Sequence, residues 1–346
     1  MLKPSFYSDP KTWDIIRDNA FVNTWHFVGD DSIFKGSINA HPITLYDKYL
    51  DEPLLLVHEN DEVKCISNVC THRGFILVDH PKKLKKIICG YHGRRFDLDG
   101  TFEHMPEFEG VQGFPRPCDN LTELPLKRWN KFLFTSIKPT IDFDQILRIM
   151  DERVGFLPIE NFEHAPEYDR LYSVKCHWAL YCDNFLEGFH IPFVHETLNN
   201  ILDYGQYETI CDDQVVLQIG YGDPGSEQFE LPEDHIDYGK VVTAYYYWVF
   251  PNLMFNFYPW GVQLNIIQPI DAEYCKVRFI HYIHDKEIWE RMDGATIAEK
   301  TEREDEFVVE SVQKGIQSRL YPGGQFSAKR ESGVSHFHKI LESYLP

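Results

Sequence analysis

The sequence predicts an α+β protein built as two units, and three stretches predict it. Between Ser37 and Ile137, short runs rich in β-branched and aromatic residues (ITLYD, PLLLVHE, VKCIS, KKIICGY, RRFDL, KFLFTSI) alternate with Asn, Asp, Gly and Pro. That is the pattern of a small all-β unit. After residue 240 the runs VVTAYYYWVF, LMFNFYPWGVQLNIIQPI and CKVRFIHYI are separated by PN and DAEY turns, which predicts an antiparallel meander. Helical periodicity precedes and follows that meander, at about 178–189 and 295–320. A chain of 346 residues, 43% apolar and 15% aromatic, is long enough for two separate cores.

Taken in order, residues 1–36 form an N-terminal segment with a short helical signal, TWDIIRDNAF, expected to pack on the second unit. The all-β unit spans 37–138. Inside it Cys70 and His72 make a Cys-x-His pair, and after sixteen intervening residues Cys89 and His92 make a Cys-x-x-His pair. Two thiolates and two imidazoles could bind structural zinc, yet zinc modules typically begin with cysteines two to four residues apart. Two such pairs on two loops suit a [2Fe–2S] cluster in which the cysteines hold one iron and the histidines the other. Lys82, Lys83, Lys85 and Lys86, with Arg94 and Arg95 nearby, form a basic island between the pairs. It is either a solvated turn or a docking site for an acidic electron donor.

The second unit spans 139–346 and opens with a crossover, KPTIDFDQILRIM. Trp178, Tyr181, Cys182, Phe185 and Phe189 then recur at helical spacing and predict a buried stripe. On the opposite face Asp183, Glu187 and His190 fall within about 60° of one another. His195 lies off that face, but Pro192 forces a bend that can bring both imidazoles to one point. Two neutral imidazoles and one carboxylate, with other positions open, make the facial triad of non-haem iron(II) oxygenases. The bland alternative is a polar helix face with two incidental histidines. A helix from about Ala295 to Leu320 puts Glu302, Asp305, Val309, Val312 and Ile316 on one stripe, and spacing alone leaves Glu302 and Asp305 as alternative third ligands. Between these helices, Leu198 to Gly239 is acidic and punctuated, a surface loop or a flap over the site. In the meander, alternation at Val262, Leu264, Ile266 and at Val277, Phe279, His281 predicts one face on the core and another walling a substrate pocket.

The formal charge of −20 argues against nucleic acid or an anionic membrane as partner, since both would repel such a surface. The N-terminus lacks the apolar core of a signal peptide, and the richest hydrophobic run, Tyr245–Trp260, is broken by Pro251, Asn252 and Asn256. A soluble, cytoplasmic protein is expected. Eight scattered cysteines without a Cys-x-x-Cys pair read as reduced thiols, apart from Cys70 and Cys89.

CTHRG at 70–74 and CGYHG at 89–93, followed by FDLDG at 96–100, resemble the Rieske domain of Rieske non-haem iron oxygenases. The sequence departs from the family's common Pro at Gly90 and common Trp at Arg94, so altered potential or docking is expected. NFLEGFHIPFVH at 184–195 resembles the family's catalytic motif, and REDEFVVESVQKG at 303–315 resembles the segment carrying its aspartate. The resemblance, which covers roughly residues 20–340, implies a β-sandwich Rieske domain and a helix-grip catalytic domain. It implies cluster ligands Cys70, His72, Cys89 and His92, and mononuclear Fe(II) ligands His190, His195 and Asp305. Glu187 takes the place of the acid thought to link the two metal centres, Asp183 loses its claim, and His336 and His338 are not ligands. An oxygenase α subunit is implied, using O2 and NAD(P)H-derived electrons from a separate reductase, with or without a ferredoxin. Cyclic homotrimers would place one subunit's cluster beside its neighbour's iron. The product would be a hydroxylated or cis-dihydroxylated compound, or a demethylated amine, from a small organic substrate, with an aromatic ring as the first expectation. Glu187 and the tail resemble the branch acting on choline, betaine or carnitine, which makes a quaternary amine the alternative. A non-catalytic redox sensor that binds an apolar ligand is the rival of another class.

Overall fold

The computed structural model describes residues 1–195 and 203–346. Contacts divide the chain into two units, Val22–Ile141 and a unit made of Met1–Phe21 with Asp142–Pro346. The N-terminal segment is therefore shorter than the expected 1–36. Its end is drawn into the first unit because β1 (His26–Asp30) pairs there with β10 (Phe132–Thr135).

The first unit is all β. Antiparallel β2 (Ala40–Leu45), β3 (Glu52–Glu59) and β4 (Glu62–Ser67) extend to the short β8 (Glu123–Leu124). A three-stranded sheet of β5 (Ile87–Ile88), β6 (Arg95–Phe96) and β7 (Phe102–His104) is separate, and β9 (Leu126–Trp129) joins β10 and β1. Strand alternation turns Leu55, Val57 and Ile66 inward against Ile87, Phe96 and Leu121, and Cys70 and Cys89 belong to the same buried cluster.

The second unit is organised by one sheet in the order β11-β18-β17-β16-β15-β14-β13, with β12 also pairing β18. These strands are β11 (Glu163–His164), β12 (Arg170–Val174), β13 (Glu208–Asp212), β14 (Val215–Tyr221), β15 (Val242–Val249), β16 (Leu253–Tyr258), β17 (Gly261–Asp271) and β18 (Tyr274–Ile283). The meander from β15 to β18 is as the alternation predicts. Part of the stretch expected as an acidic loop forms strands. Glu208–Asp212 and Val215–Tyr221 are paired strands, because the run VVLQIGY is buried throughout and each large apolar side chain there contributes about 1.5–3 kcal/mol. Its 198–202 portion lies outside the described residues.

Helices α1 (Pro10–Asn19) and α2 (Phe143–Val154) start at Asp9 and Asp142, whose carboxylates accept the free amides of the first turn. Helix α3 (Trp178–Phe185) buries Trp178 against Phe21 and Phe337, with centroids 5.1 and 5.9 Å apart. After it come α4 (Ile191–Val194), α5 (Lys286–Arg291), α6 (Gly294–Ile316) and α7 (Ser332–Ser343). Among the described residues no helix is long and apolar enough to cross a membrane.

Candidate metal centres

The two cysteine–histidine loops of the first unit are built to one plan. Cys70 N–H donates to Phe75 O at 2.8 Å and Cys89 N–H to Arg94 O at 2.8 Å. Each cysteine's carbonyl then accepts the amide of the glycine four residues on, Gly74 at 2.9 Å and Gly93 at 3.0 Å. Both glycines have φ near +70° (71° and 72°), a left-handed turn that a β-carbon would strain. The chain therefore folds back twice, and side chains meet across the loops. The His72 and His92 rings lie 4.9 Å apart. Burial raises the Cys70 thiol pKa, and the neighbouring Cys89 side chain adds to the rise. His92 Nδ1 is buried without a hydrogen-bond partner. Two juxtaposed buried thiols beside two convergent imidazoles, one with an orphaned nitrogen, fit a cluster that takes thiolates on one iron and nitrogens on the other.

Arg94 stands where docking was a candidate role, and the structure contradicts that reading. It is 1% exposed. Its Nη2 donates to Asp119 Oδ1 at 2.7 Å and to Asp119 O at 3.1 Å, while the guanidinium lies 4.8–5.6 Å from the rings of Phe96, Phe102 and Phe114. Thr71 Oγ1 donates to the same Asp119 carbonyl at 2.9 Å. A single residue, Asp119, thus ties both ligand loops together.

The candidate iron-ligand histidines come together by a different route from the one spacing predicts. Helix α3 stops at Phe185, so Asp183, Glu187 and His190 do not share a helical face. Glu187 Oε2 instead accepts the backbone amides of His190 (3.1 Å) and Phe189, a local bond that competes with continued helix. Phe189, expected in the buried stripe, is 42% exposed. A β-carbon at Gly188 would lie 2.7 Å from the Tyr207 ring, so only glycine passes there. Pro192 does not kink a helix. It sits in the first turn of α4, where its missing N–H costs nothing.

The outcome is convergence. His190 Nε2 and His195 Nε2 are 3.1 Å apart, and Asp305 Oδ1 on α6 is 3.6 and 3.0 Å from them. These three ligand-type atoms all lie within 4.8 Å of one another, the donor set of a two-histidine, one-carboxylate iron site. Each imidazole is held from behind. His190 Nδ1 is 2.6 Å from Glu187 Oε1, and His195 Nδ1 is 2.7 Å from Glu304 Oε2. Donation from Nδ1–H to a glutamate leaves each Nε2 lone pair facing the shared point. Burial lowers the pKa of His195, but its bonds to Asp305 and Glu304 and their charges outweigh that and raise it.

Glu302, the other candidate ligand, is absent from this group. Its carboxyl accepts from Tyr181 Oη, and burial raises its pKa strongly. The predicted α6 stripe is corrected at its end, since Val312 is exposed while Gln313 is buried and accepts the His177 amide at 2.8 Å. Asp183 bonds Tyr7 Oη (3.0 Å) and His338 (2.9 Å), and His336 bonds the Asp213 carbonyl (2.7 Å). Two site residues escaped sequence reasoning. Glu304 looked like one acid in a run, and Asn184, which donates to Asp305 Oδ1 at 2.6 Å, like a spacer. Their position one residue from a candidate, Asp305 or Asp183, was the only signal.

The basic island is half neutralised within its own unit. Lys82 pairs with Asp79 at 2.9 Å, and Lys86 pairs with Asp97 and, at 3.6 Å, Glu103. Lys83 and Lys85 remain exposed.

Beside the triad lies a cavity of about 160 Å³. Its sheet wall is one face of the meander, with Gln218, Tyr246, Asn256, Gln263 and His281 paired in register across five strands. Tyr207, Tyr258, Trp260 and Phe279 add aromatic faces, and α6 contributes Ile297, Ala298 and Thr301. His281 does not line the cavity but backs the wall, 3.0 Å from Gln263 Oε1.

Similarities to known proteins cover both units. Residues 25–115 match the Rieske [2Fe-2S] domain and residues 161–346 the ring-hydroxylating alpha subunit catalytic domain. Chloroplastic choline monooxygenase of Arabidopsis thaliana is 29% identical over 99% of this chain and 82% of its own. The carnitine monooxygenase oxygenase subunit of Escherichia coli is 26% identical over 97% and 91%. Among solved structures, a quaternary ammonium Rieske monooxygenase superposes with a TM-score of 0.81 at 21% identity, covering 99% and 95% of the two chains. Naphthalene 1,2-dioxygenase from Rhodococcus sp. gives 0.75 at 15%, covering 99% and 94%. The cofactors are those of the two matched domains, a Rieske [2Fe–2S] cluster and mononuclear non-haem iron supplied with electrons by a reductase. With these two domains in this order and a convergent ligand group in each, the chain belongs to the ring-hydroxylating α-subunit family of Rieske non-haem iron oxygenases.

Proposed function

We propose that this oxygenase monooxygenates a quaternary ammonium compound, with His190, His195 and Asp305 holding the mononuclear iron and Cys70, His72, Cys89 and His92 holding the cluster. The observation that carries the substrate reading is the cavity wall. Aromatic faces at Tyr207, Tyr246, Tyr258 and Trp260 stand beside the carboxyl groups of Glu187, Glu302 and Asp305, and such faces attract a desolvated cation with up to about 2 kcal/mol. The similarity to choline and carnitine monooxygenases supports the same reading. An aromatic hydrocarbon, the first expectation from sequence, suits the wall less well. It would leave Asn256 Oδ1 and Gln218 Oε1, both buried and unpartnered, without compensation. The likeness to naphthalene dioxygenase speaks for fold.

Bound iron supplies oxygen activation, and the cluster supplies electrons one at a time. In the net reaction one atom of O2 enters a C–H bond and the other leaves as water, with two electrons from the reductase and two protons closing the balance. The protein's own groups orient and exclude. Glu187 and Glu304 fix the imidazole rings, Asn184 fixes the carboxylate of Asp305, and the sheet wall positions the substrate. Glu187 also suits a role between metal centres of neighbouring subunits in a homotrimeric ring, since its carboxylate already holds His190. The direct test is oxygen uptake by the reconstituted enzyme against a panel of quaternary amines and aromatic hydrocarbons, with product mass measured. A mass gain of one oxygen atom, or loss of a hydroxylated fragment, from an amine is expected. Dihydroxylation of a hydrocarbon with no amine turnover overturns the reading.

A further inference from the structure

We infer that Asn256 and Asn265 form a hydroxyl-binding pair in the sheet wall, its polarity set by His281 from behind, so that the substrate carries an alcohol beside its ammonium end. The inference rests on the quaternary ammonium reading and deepens it. Both asparagines line the cavity and are 5% exposed. They are uncharged, so their match to an alcohol is independent of the charge that iron and its ligands bring to the same cavity.

A chain of hydrogen bonds fixes which amide atom Asn265 offers. His281 stands opposite Gln263 in the β17–β18 register, with its Nε2 3.0 Å from Gln263 Oε1. Burial holds the ring neutral, lowering its pKa to about 4, so only one ring nitrogen carries a proton. His281 Nδ1 is buried without a partner, and a buried N–H without an acceptor is rarer than a lone pair without a donor. The proton therefore sits on Nε2. It is donated to Gln263 Oε1, which turns Gln263 Nε2 toward Asn265 Oδ1 at 2.8 Å. What remains of Asn265 for the cavity is its Nδ2–H group, a donor.

Asn256 supplies the acceptor. Its Oδ1 is buried and unpartnered, a state that marks a place a ligand can complete. Asn256 pairs with Gln263 across β16 and β17, which makes it the diagonal neighbour of Asn265, two residues further along β17. Diagonal positions lie about 7–8 Å apart, a gap that one oxygen hydrogen-bonded to both amides can bridge. A hydroxyl does this by accepting from Asn265 Nδ2 and donating to Asn256 Oδ1, whereas a methyl group leaves both amides unpaired. On its other side Asn256 stands opposite Tyr246, at about 4.5–5.5 Å between β-carbons. An ammonium against the Tyr246 ring therefore brings an alcohol two carbons away to the amide pair.

The test is calorimetric titration of the holoenzyme under argon with two cations of one shape, choline and propyltrimethylammonium, in which a methyl group replaces the hydroxyl. Their affinity ratio isolates the alcohol, because a change in packing or in the aromatic faces moves both probes together. Wild-type protein should bind choline more tightly by about tenfold or more. Asn265→Leu and Asn256→Leu, measured on protein that keeps its full iron content, should each bring the two affinities within about threefold. His281→Phe should narrow the ratio as well, since the amide chain loses its anchor, and His281→Gln, which keeps an N–H near the Nε2 position, should restore it. A wild-type ratio within about threefold overturns the inference and leaves the quaternary ammonium reading standing. A ratio that survives Asn265→Leu or Asn256→Leu overturns the pair, and one that survives His281→Phe overturns the role of His281. Failure of both cations to bind overturns the quaternary ammonium reading itself, and the inference with it.

Discussion

The two metal centres of this chain solve the same problem by opposite means. In the first unit the four candidate ligands come from two loops of five residues each, CTHRG and CGYHG, whose backbones repeat the same two hydrogen bonds. In the second unit the three candidate ligands come from the ends of α4 and from α6, with Asp305 lying 110 positions beyond His195. The cluster site is a local fold reinforced by one buried ion pair. The iron site exists only after the catalytic unit has packed, and its geometry depends on side chains, Glu187, Glu304 and Asn184, that grip the ligands from behind. The difference teaches that removing an iron ligand should leave the cluster intact, whereas damage to the catalytic unit's packing can misplace ligands that are themselves unchanged.

The sharpest separation comes from His190→Ala and Asp305→Ala. Each should abolish turnover and lose the mononuclear iron while keeping the visible and EPR signature of the cluster, giving two irons per chain in place of three by metal analysis. Glu302→Ala should keep three, at a folding cost of about 1–3 kcal/mol for the orphaned Tyr181 hydroxyl. Loss of iron in Glu302→Ala with retention in Asp305→Ala would reverse the assignment.

Coexpression of Cys70→Ala with His190→Ala asks whether the two centres work across subunits. Each variant alone should be dead, and mixed rings should regain part of the activity because some junctions pair an intact cluster with an intact iron. Verified mixed oligomers that stay inactive rule out the intersubunit route.

Within the first unit, Asp119→Ala strands the Arg94 guanidinium in the core while keeping the backbone carbonyl that holds Thr71. A loss of about 3–5 kcal/mol is expected for breaking one side of a buried pair, read as a lower unfolding midpoint for cluster bleaching with little change in iron-site occupancy. If the midpoint is unmoved, the tie between the ligand loops carries no stability.

A smaller effect should follow from Glu304→Ala, which removes the partner of His195 Nδ1 but no ligand. Iron affinity should fall about 10–100-fold in a chelator competition. The smallest change belongs to Lys83→Glu with Lys85→Glu. With Lys82 and Lys86 already paired, reversal of the two exposed lysines should slow electron delivery from the donor by no more than about tenfold, an effect that salt screens. An unchanged second-order rate reduces the island to a solvated turn.

The sequence by itself determined the parts that depend on neighbours along the chain. Cys70 to Gly74 and Cys89 to Gly93 carry their turn chemistry within five residues, so the cluster loops were legible, as were the β-rich first unit and the meander, whose alternation is set by the two-residue period of a strand. His190 and His195 were legible as a pair, though for the wrong reason. Spacing implied one helix bent at Pro192, whereas the helix ends at Phe185, since Glu187 captures backbone amides and Tyr207 crowds Gly188. Tertiary structure alone decided three other matters. It placed Asp305 rather than Glu302 with the histidines, because on one stripe of α6 the two differ only in what faces them, Tyr181 or the imidazoles. It buried Arg94 by supplying Asp119 from 25 residues away. It also built the substrate wall from a row of residues on five strands. Local sequence sets backbone preference, but which side chains share a cavity is fixed by strand register, and register is a property of the assembled sheet.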